Sequence, residues 1–273
     1  MTHRGRAERI QTIGDQPRRR CGKNNAQPRA GSLAGSFVTS RKAGRPLVSV
    51  LSRGLIADTA LAVVTEEGPE KLTMKLLSER LGVAVSALYN HIASKADLLL
   101  LVQDAVMSRV DTSELIALAD TAGVGRDATA MLPDALRQWA RSYRDVFADN
   151  PALIPLIAAM PVSGAPSTRR MYEDLAAGLA AARIPEADIV PSVIAFESFV
   201  YGSAMDANAP ASIFTSRPEE RDAPTFQAAV DAFTTRVCTV KADDGATANP
   251  YAEQPFQWGL EALIARTINL IAS

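Results

Sequence analysis

The chain has 273 residues, 47% of them hydrophobic and 22% charged, with a formal net charge of −1. That length buries a sizeable core and fits one small and one larger domain, while an aromatic content of 5% beside abundant Ala and Leu favours helices over sheets. Cys21 and Cys238 form neither a C-x-x-C pair nor a disulfide framework, which fits a reduced, cytoplasmic setting; no apolar run reaches membrane-spanning length, and the basic N-terminus lacks the apolar core of a signal peptide.

The net charge hides an asymmetry. Residues 1–45 carry eleven Lys/Arg against two Asp/Glu, residues 46–95 five of each, and residues 96–273 thirteen against twenty-three. A basic front on an acidic body points to an anionic partner at the N-terminal end. Residues 1–47 include Arg18, Arg19 and Arg20 and few large apolar side chains. They bury too little to offset ordering entropy and read as a disordered basic arm. Both a leader without function and a functional arm are open for it. Its end, "RKAGRP", combines residue types that lie extended along a narrow minor groove, with Arg41 and Arg45 reaching in.

Order is expected from Ser49, a candidate N-cap. Leu55, Ile56, Ala60, Val63 and Val64 then recur at helical spacing until Gly68-Pro69 stops the helix. Thr73 caps a second helix with Leu76, Leu77 and Leu81 on its inner face, and Gly82 supplies a sharp turn. A short third helix is predicted from Val85 to His91, and a fourth after Ser94, with Asp97 as capping-box partner and a stripe of Leu98, Leu99, Val102, Val106 and Val110. A glycine turn before a short third helix describes a helix-turn-helix. Leu88 and Ile92 anchor that helix, which leaves Val85, Ser86, Tyr89, Asn90 and His91 facing outward.

The rest also reads as helix, so the whole is predicted to be all-α, with an N-terminal three-helix head over 48–95 and a larger helical body over 96–273. Leu132, Leu136, Trp139, Tyr143 and Val146 form one stripe, and "DNPALIPLIAAMP" is a proline-broken bend followed by a short helix. Around 187–206, Ile189, Val193, Phe196 and Val200 make one apolar stripe and Val190, Ile194, Tyr201 and Met205 a second. A helix with two apolar faces suits dimerisation, and Gly202, Ser203 and Ala204 allow close backbone approach. The last stripe is Phe256, Leu260, Leu263, Ile264, Thr267, Ile268 and Ile271, preceded by "KADDGATANPYAEQP", read as a polar loop. No H-E-x-x-H, Walker motif or nucleophile elbow is present, and "GVGRDA" at Gly123 follows no strand, so an enzyme is not expected.

The stretch "ALAVVTEEGPEKLTMKLLSERLGVAVSALYNHIASKADLLLLV" resembles the tetracycline-repressor (TetR) family of bacterial transcription regulators. "RSYRDVFADNPALIPLIAAMP" and "FQWGLEALIARTI" are similar, more weakly, to the ligand-binding and dimerising part of the subgroup nearest the tetracycline repressors. The resemblance implies a homodimeric repressor on palindromic double-stranded operator DNA, released when a small-molecule effector binds the body; no cofactor and no membrane are implied. The residues matching family DNA contacts are Lys75, then Ala84, Val85, Ser86, Ala87, Tyr89, Asn90 and His91, with Lys95 opening the fourth helix and Thr73 opening the second. Tyr89, His91 and Lys95 would touch phosphates. Lys75 suits a guanine edge, while Ala84, Val85 and Ala87 suit thymine methyls. Packing for Val85 and a helix-capping role for His91 remain open beside these roles.

The only histidines are His3 and His91, and the segment "AAMPVSG" has none where tetracycline-binding members use one for a magnesium–drug chelate. Asp206, without an imidazole partner, reads as a surface charge. A metal-independent, largely apolar effector other than tetracycline is therefore expected, lined by Trp139, Tyr143, Leu153, Ile157, Met160, Phe196, Phe199 and Phe226; ordinary core is the competing reading for each. The near-neutral head also leaves open a helical interaction protein with a degenerate helix-turn-helix.

Overall fold

The computed structural model describes residues 51–121, 127–210, 212–214, 222–240 and 249–271, all within one compact unit, Ser49–Ser273. The basic arm with Arg41 and Arg45, Ser49 and most of "GVGRDA" lie outside the described residues. The regular elements among the described residues are all helical. None of these helices is long and apolar enough to cross a membrane.

Helix α1 spans Arg53–Glu67 and begins later than expected: Ser52, not Ser49, is its N-cap, with Ser52 Oγ accepting from Leu55 N at 3.1 Å. "SVLSRG" offers two serines, and Ser52, in an extended conformation, stands three residues before the helical N–H it caps. Gly68 ends α1 at φ 94°, and a 3₁₀ turn at Pro69–Lys71 leads to α2, Met74–Leu81, capped by Thr73. Gly82 follows at φ 66°. Helix α3, Val85–Tyr89, stops at Asn90, two residues short of the expected His91. Helix α4 is Lys95–Met107, with Ser94 Oγ accepting from Asp97 N. Leu88, Ile92, Leu98, Val102 and Val106 pack against Ile56, Ala60, Val63, Leu72 and Leu77, all buried. The head thus closes around one apolar centre.

The body consists of α5 (Ser113–Ala119), α6 (Ala128–Ala148), α7 (Ile154–Ile157), α8 (Pro166–Ala181), α9 (Glu186–Ala207), α10 (Pro224–Val240) and α11 (Pro250–Asn269). Its core stripe on α6, Leu132–Leu136–Trp139–Tyr143, is buried, and Val146 is half-buried. Two expectations are corrected here. The tract read as a loop becomes helix from Pro250, because Asn249 Oδ1 accepts from Tyr251 N while its amide donates to the carbonyls of Asp206 and Ala209, and proline suits the first helical position. Tyr201 does not join the outer stripe of α9; it turns inward to Tyr143, while Val190, Ile194 and Met205 are 64%, 56% and 58% exposed. Residue 201 has the helical spacing of both stripes, and its hydroxyl finds partners only inside.

Head and body meet along α4. Arg109 at its end reaches Asp58 of α1 at 3.7 Å. Thr65 Oγ1 donates to Asn150 Oδ1 at 2.8 Å, and the buried Asn150 donates to Val146 O. Asp104 of α4 supplies the cap that α8 lacks locally, accepting from Ser167 N at 2.6 Å, Ser167 Oγ at 3.0 Å and Thr168 N at 3.2 Å.

Helix α11 is tied to α6 by charge. Arg141 and Arg144 each donate to Glu253, and the Arg144 guanidinium, nearly buried, lies 4.4 Å from the Phe256 ring centroid. Burial alone would raise the Glu253 carboxyl, but the hydrogen bonds from Arg144, Arg141 and Gln257 outweigh it and hold it at about 2. Its folded value lies below the ordinary 4.5, so the pairing stabilises the fold above about pH 4.5 and is lost as pH falls toward 2. Thermal melts between pH 6 and pH 3 should therefore show a steeper loss for the wild type than for Glu253→Gln.

Candidate nucleic-acid interface and effector site

The turn between α2 and α3 sets what α3 presents. Gly82 N donates to Glu79 O and Val83 N to Ser78 O, which reverses the chain in one left-handed step. Leu88 and Ile92, at 0% and 1% exposure, then pin α3 inward. Ala84, Ser86 and Asn90 are exposed, Val85 and Tyr89 are 36% and 54% exposed, and Ala87 and His91 are half-buried. The outward set expected from the sequence is thus brought together on one short helix and its flanks. The His91 carbonyl accepts from Arg53 Nη1 at 2.6 Å, so this region is braced on α1. Arg53 is a positioning residue that periodicity did not single out, because it stands at the helix start with no apolar pattern around it.

Among the cations of the head, Lys75 is highly exposed and 4.0 Å from Glu79, a weak i,i+4 pair. Lys95 is exposed at the first residue of α4. Arg80 is committed elsewhere, clamped between Glu66 and Glu67. Thr73 Oγ1 accepts from Leu76 N and so serves as the cap of α2.

In the body the structure separates the expected effector residues into groups. Trp139 and Tyr143 on α6 pack with Phe196 on α9, ring centroids 5.6 and 5.8 Å apart from that of Trp139. Leu153 and Ile157 are buried, and Met160 is half-buried at the end of the same bend. Phe199 is not part of this group: it stacks on Phe256, and a Cβ at Gly259 would collide with its ring. Phe226 lies apart as well, 52% exposed and edge-on to Phe214. The sequence groups these two with the effector-lining aromatics, but residue type does not say which neighbour each meets.

A polar cluster sits beside the aromatic group. Glu197 Oε1 accepts from Tyr172 Oη at 2.5 Å, Tyr143 Oη at 2.8 Å and Tyr201 Oη at 3.1 Å. These side chains come from α8, α6 and α9, so one carboxylate oxygen joins three helices. Burial first, and the Glu197 charge with it, pushes all three phenols above their ordinary range. They stay protonated donors across the neutral range. The Trp139 Nε1–H is buried without an acceptor, as is the Gln103 Oε1 of α4 without a donor. The sequence held a signal for Glu197, an acid inside an apolar helix with tyrosine four residues on. Its meaning depended on Tyr143 and Tyr172 arriving from other helices.

With that geometry in place, residues 56–102 match the family model of bacterial regulatory proteins, tetR family, and residues 126–265 match the tetracyclin repressor-like C-terminal domain. The chain belongs to the TetR family. An uncharacterized HTH-type transcriptional regulator of Mycobacterium tuberculosis is 33% identical over 144 residues, which cover 51% of this chain and 60% of that protein. A transcriptional regulator of Saccharopolyspora erythraea is 28% identical with the same 60% of its length spanned. An HTH-type transcriptional repressor of M. tuberculosis is 27% identical, covering 79% of this chain and 80% of that one. Among solved structures, the TetR family protein ActR of Streptomyces coelicolor, in complex with (S)-DNPA, superposes with a TM-score of 0.56 at 22% identity, over 80% of this chain and 98% of that one. A TetR from S. coelicolor gives 0.56 at 24%, over 81% and 99%. These likenesses establish the TetR fold for both head and body.

In this TetR chain the head depends on Gly82 for its backbone alone, since a Cβ there would meet nothing within 4 Å. Gly82→Val should therefore lower unfolding stability by about 1–2 kcal/mol and Gly82→Asn by less, read from denaturant midpoints.

Proposed function

We propose that the protein is a ligand-responsive transcriptional repressor, a homodimer whose helix-turn-helix heads bind palindromic operator DNA. The observation that carries this reading is the division of α3, with Leu88 and Ile92 buried beneath and Val85, Ser86, Tyr89 and Asn90 presented above. Tyr89, 54% exposed, offers a hydroxyl donor on a rigid stem to a partner outside the helix. In this reading residues 48–95 are the reading head and 96–273 the effector and dimerisation body. Tyr89, His91 and Lys95 contact phosphates, Lys75 and Asn90 reach base edges, and Ala84, Val85, Ser86 and Ala87 lie against the groove floor. Thr73, whose hydroxyl caps α2, presents its backbone end to the same groove. Arg41 and Arg45 would follow the minor groove alongside.

Release follows from α4. It packs on α1 and, through Asp104, holds the start of α8. A ligand that repositions α8 or α6 therefore moves α4 and the head with it. Moving the operator-bound population from 99% to 1% requires the effector to favour the released state by about 5.5 kcal/mol. With no histidine in the body, release is proposed to need no magnesium. The exposed apolar set Val190, Ile194 and Met205 of α9 is proposed to face the partner subunit.

Fluorescence anisotropy on duplexes from the DNA flanking its own gene tests the head. Affinity should fall steeply with salt, and Lys95→Ala should reduce the log–log slope by about 1. Salt-indifferent binding, or none at low ionic strength, would favour a helical interaction protein instead. Light scattering tests the interface: Ile194→Glu should convert dimer to monomer while leaving the helical circular-dichroism signal intact.

A further inference from the structure

Resting on the ligand-responsive reading above, we propose that the effector is a lipophilic cation, seated at Glu197 and walled by Trp139, Tyr143, Tyr172 and Tyr201. Glu197 is half-buried, with every hydrogen bond it accepts on Oε1 and all three donors phenolic. Three O–H donors thus converge on a carboxylate, an acceptor that carries formal negative charge. Among the described residues no Lys, Arg or His pairs with it, whereas Glu253 and Glu261 of the same body face guanidinium groups. The charge is satisfied in hydrogen bonds but not in charge.

Three classes of ligand can be weighed against that arrangement. An anion would meet Glu197 directly and be repelled. A neutral apolar molecule would cover the carboxylate, strip its remaining water and leave an uncompensated charge, the costliest outcome. A cation compensates it, and the surrounding rings attract a desolvated cation through their faces. Tyr143 and Tyr201 lie 5.7 Å apart by ring centroid and Trp139 abuts Tyr143, so aromatic surface adjoins the carboxylate from two helices. Glu197, Tyr172 and Tyr201 are only half-buried, so the cluster is not sealed. The cation requirement narrows the apolar effector expected from the sequence: its body is apolar, but it carries a positive charge.

Isothermal titration of the full-length protein with tetraphenylphosphonium and with tetraphenylborate, which share a shape and differ in sign, tests the proposal. The phosphonium should bind the wild type and weaken by about ten-fold or more in Glu197→Gln; tetraphenylborate should bind more weakly than the phosphonium and not weaken in the variant. Equal affinity for both ions, or preference for the borate, overturns the cation while leaving ligand response in place. Binding of neither ion also overturns it. The ligand-responsive reading fails separately, if no small molecule of any charge releases operator DNA from the wild type. The comparison of the two ions on unmodified protein stands even if Glu197→Gln fails to fold.

Discussion

The architecture depends on α4 belonging to two cores at once. Leu98, Val102 and Val106 are fully buried in the centre that the head shares, while Asp104, on the same helix, holds the first turn of α8. A close-packed helix of thirteen residues transmits displacement instead of absorbing it, because interiors at crystal-like density do not deform smoothly. The Asp58–Arg109 and Thr65–Asn150 contacts add polar ties between the same two regions. Head and body are therefore joined through α4, which packs on α1 and caps the start of α8.

The body answers a second constraint, how to keep a carboxylate inside an aromatic core. Several acids meet arginine: Glu66 and Glu67 share Arg80, Glu261 is chelated by Arg137, and Glu253 takes Arg141 and Arg144. Glu197 meets only hydroxyl groups. Hydrogen bonds lower the cost of burying the charge without neutralising it. The same cluster crosslinks α6, α8 and α9.

Much of this was legible from residue order. The apolar spacing of α1, α2 and α4 gave their inner faces, because a 3.6-residue period leaves few other solutions for Ile56, Leu77 or Val102. Gly82 and Ser94 marked turn and cap through local chemistry alone. The outward residues of α3 followed by elimination once Leu88 and Ile92 were taken inward. Where two local signals competed, reading in order failed: Ser49 and Ser52 are equally good caps by type, and Pro250 with its polar neighbours reads as loop until Asn249 is seen to brace the start of α11.

Sequence alone thus determined the all-helical class, the helix-turn-helix and the family, since each rests on contacts between residues a few positions apart. Tertiary structure alone decided that Tyr201 turns inward, that Phe199 and Phe226 leave the aromatic group, and that Glu197 collects three phenols from three helices. The Tyr172–Glu197 and Tyr143–Tyr201 contacts join residues 25 and 58 positions apart. Helical periodicity specifies which face a residue occupies, but not which distant helix comes to lie against it.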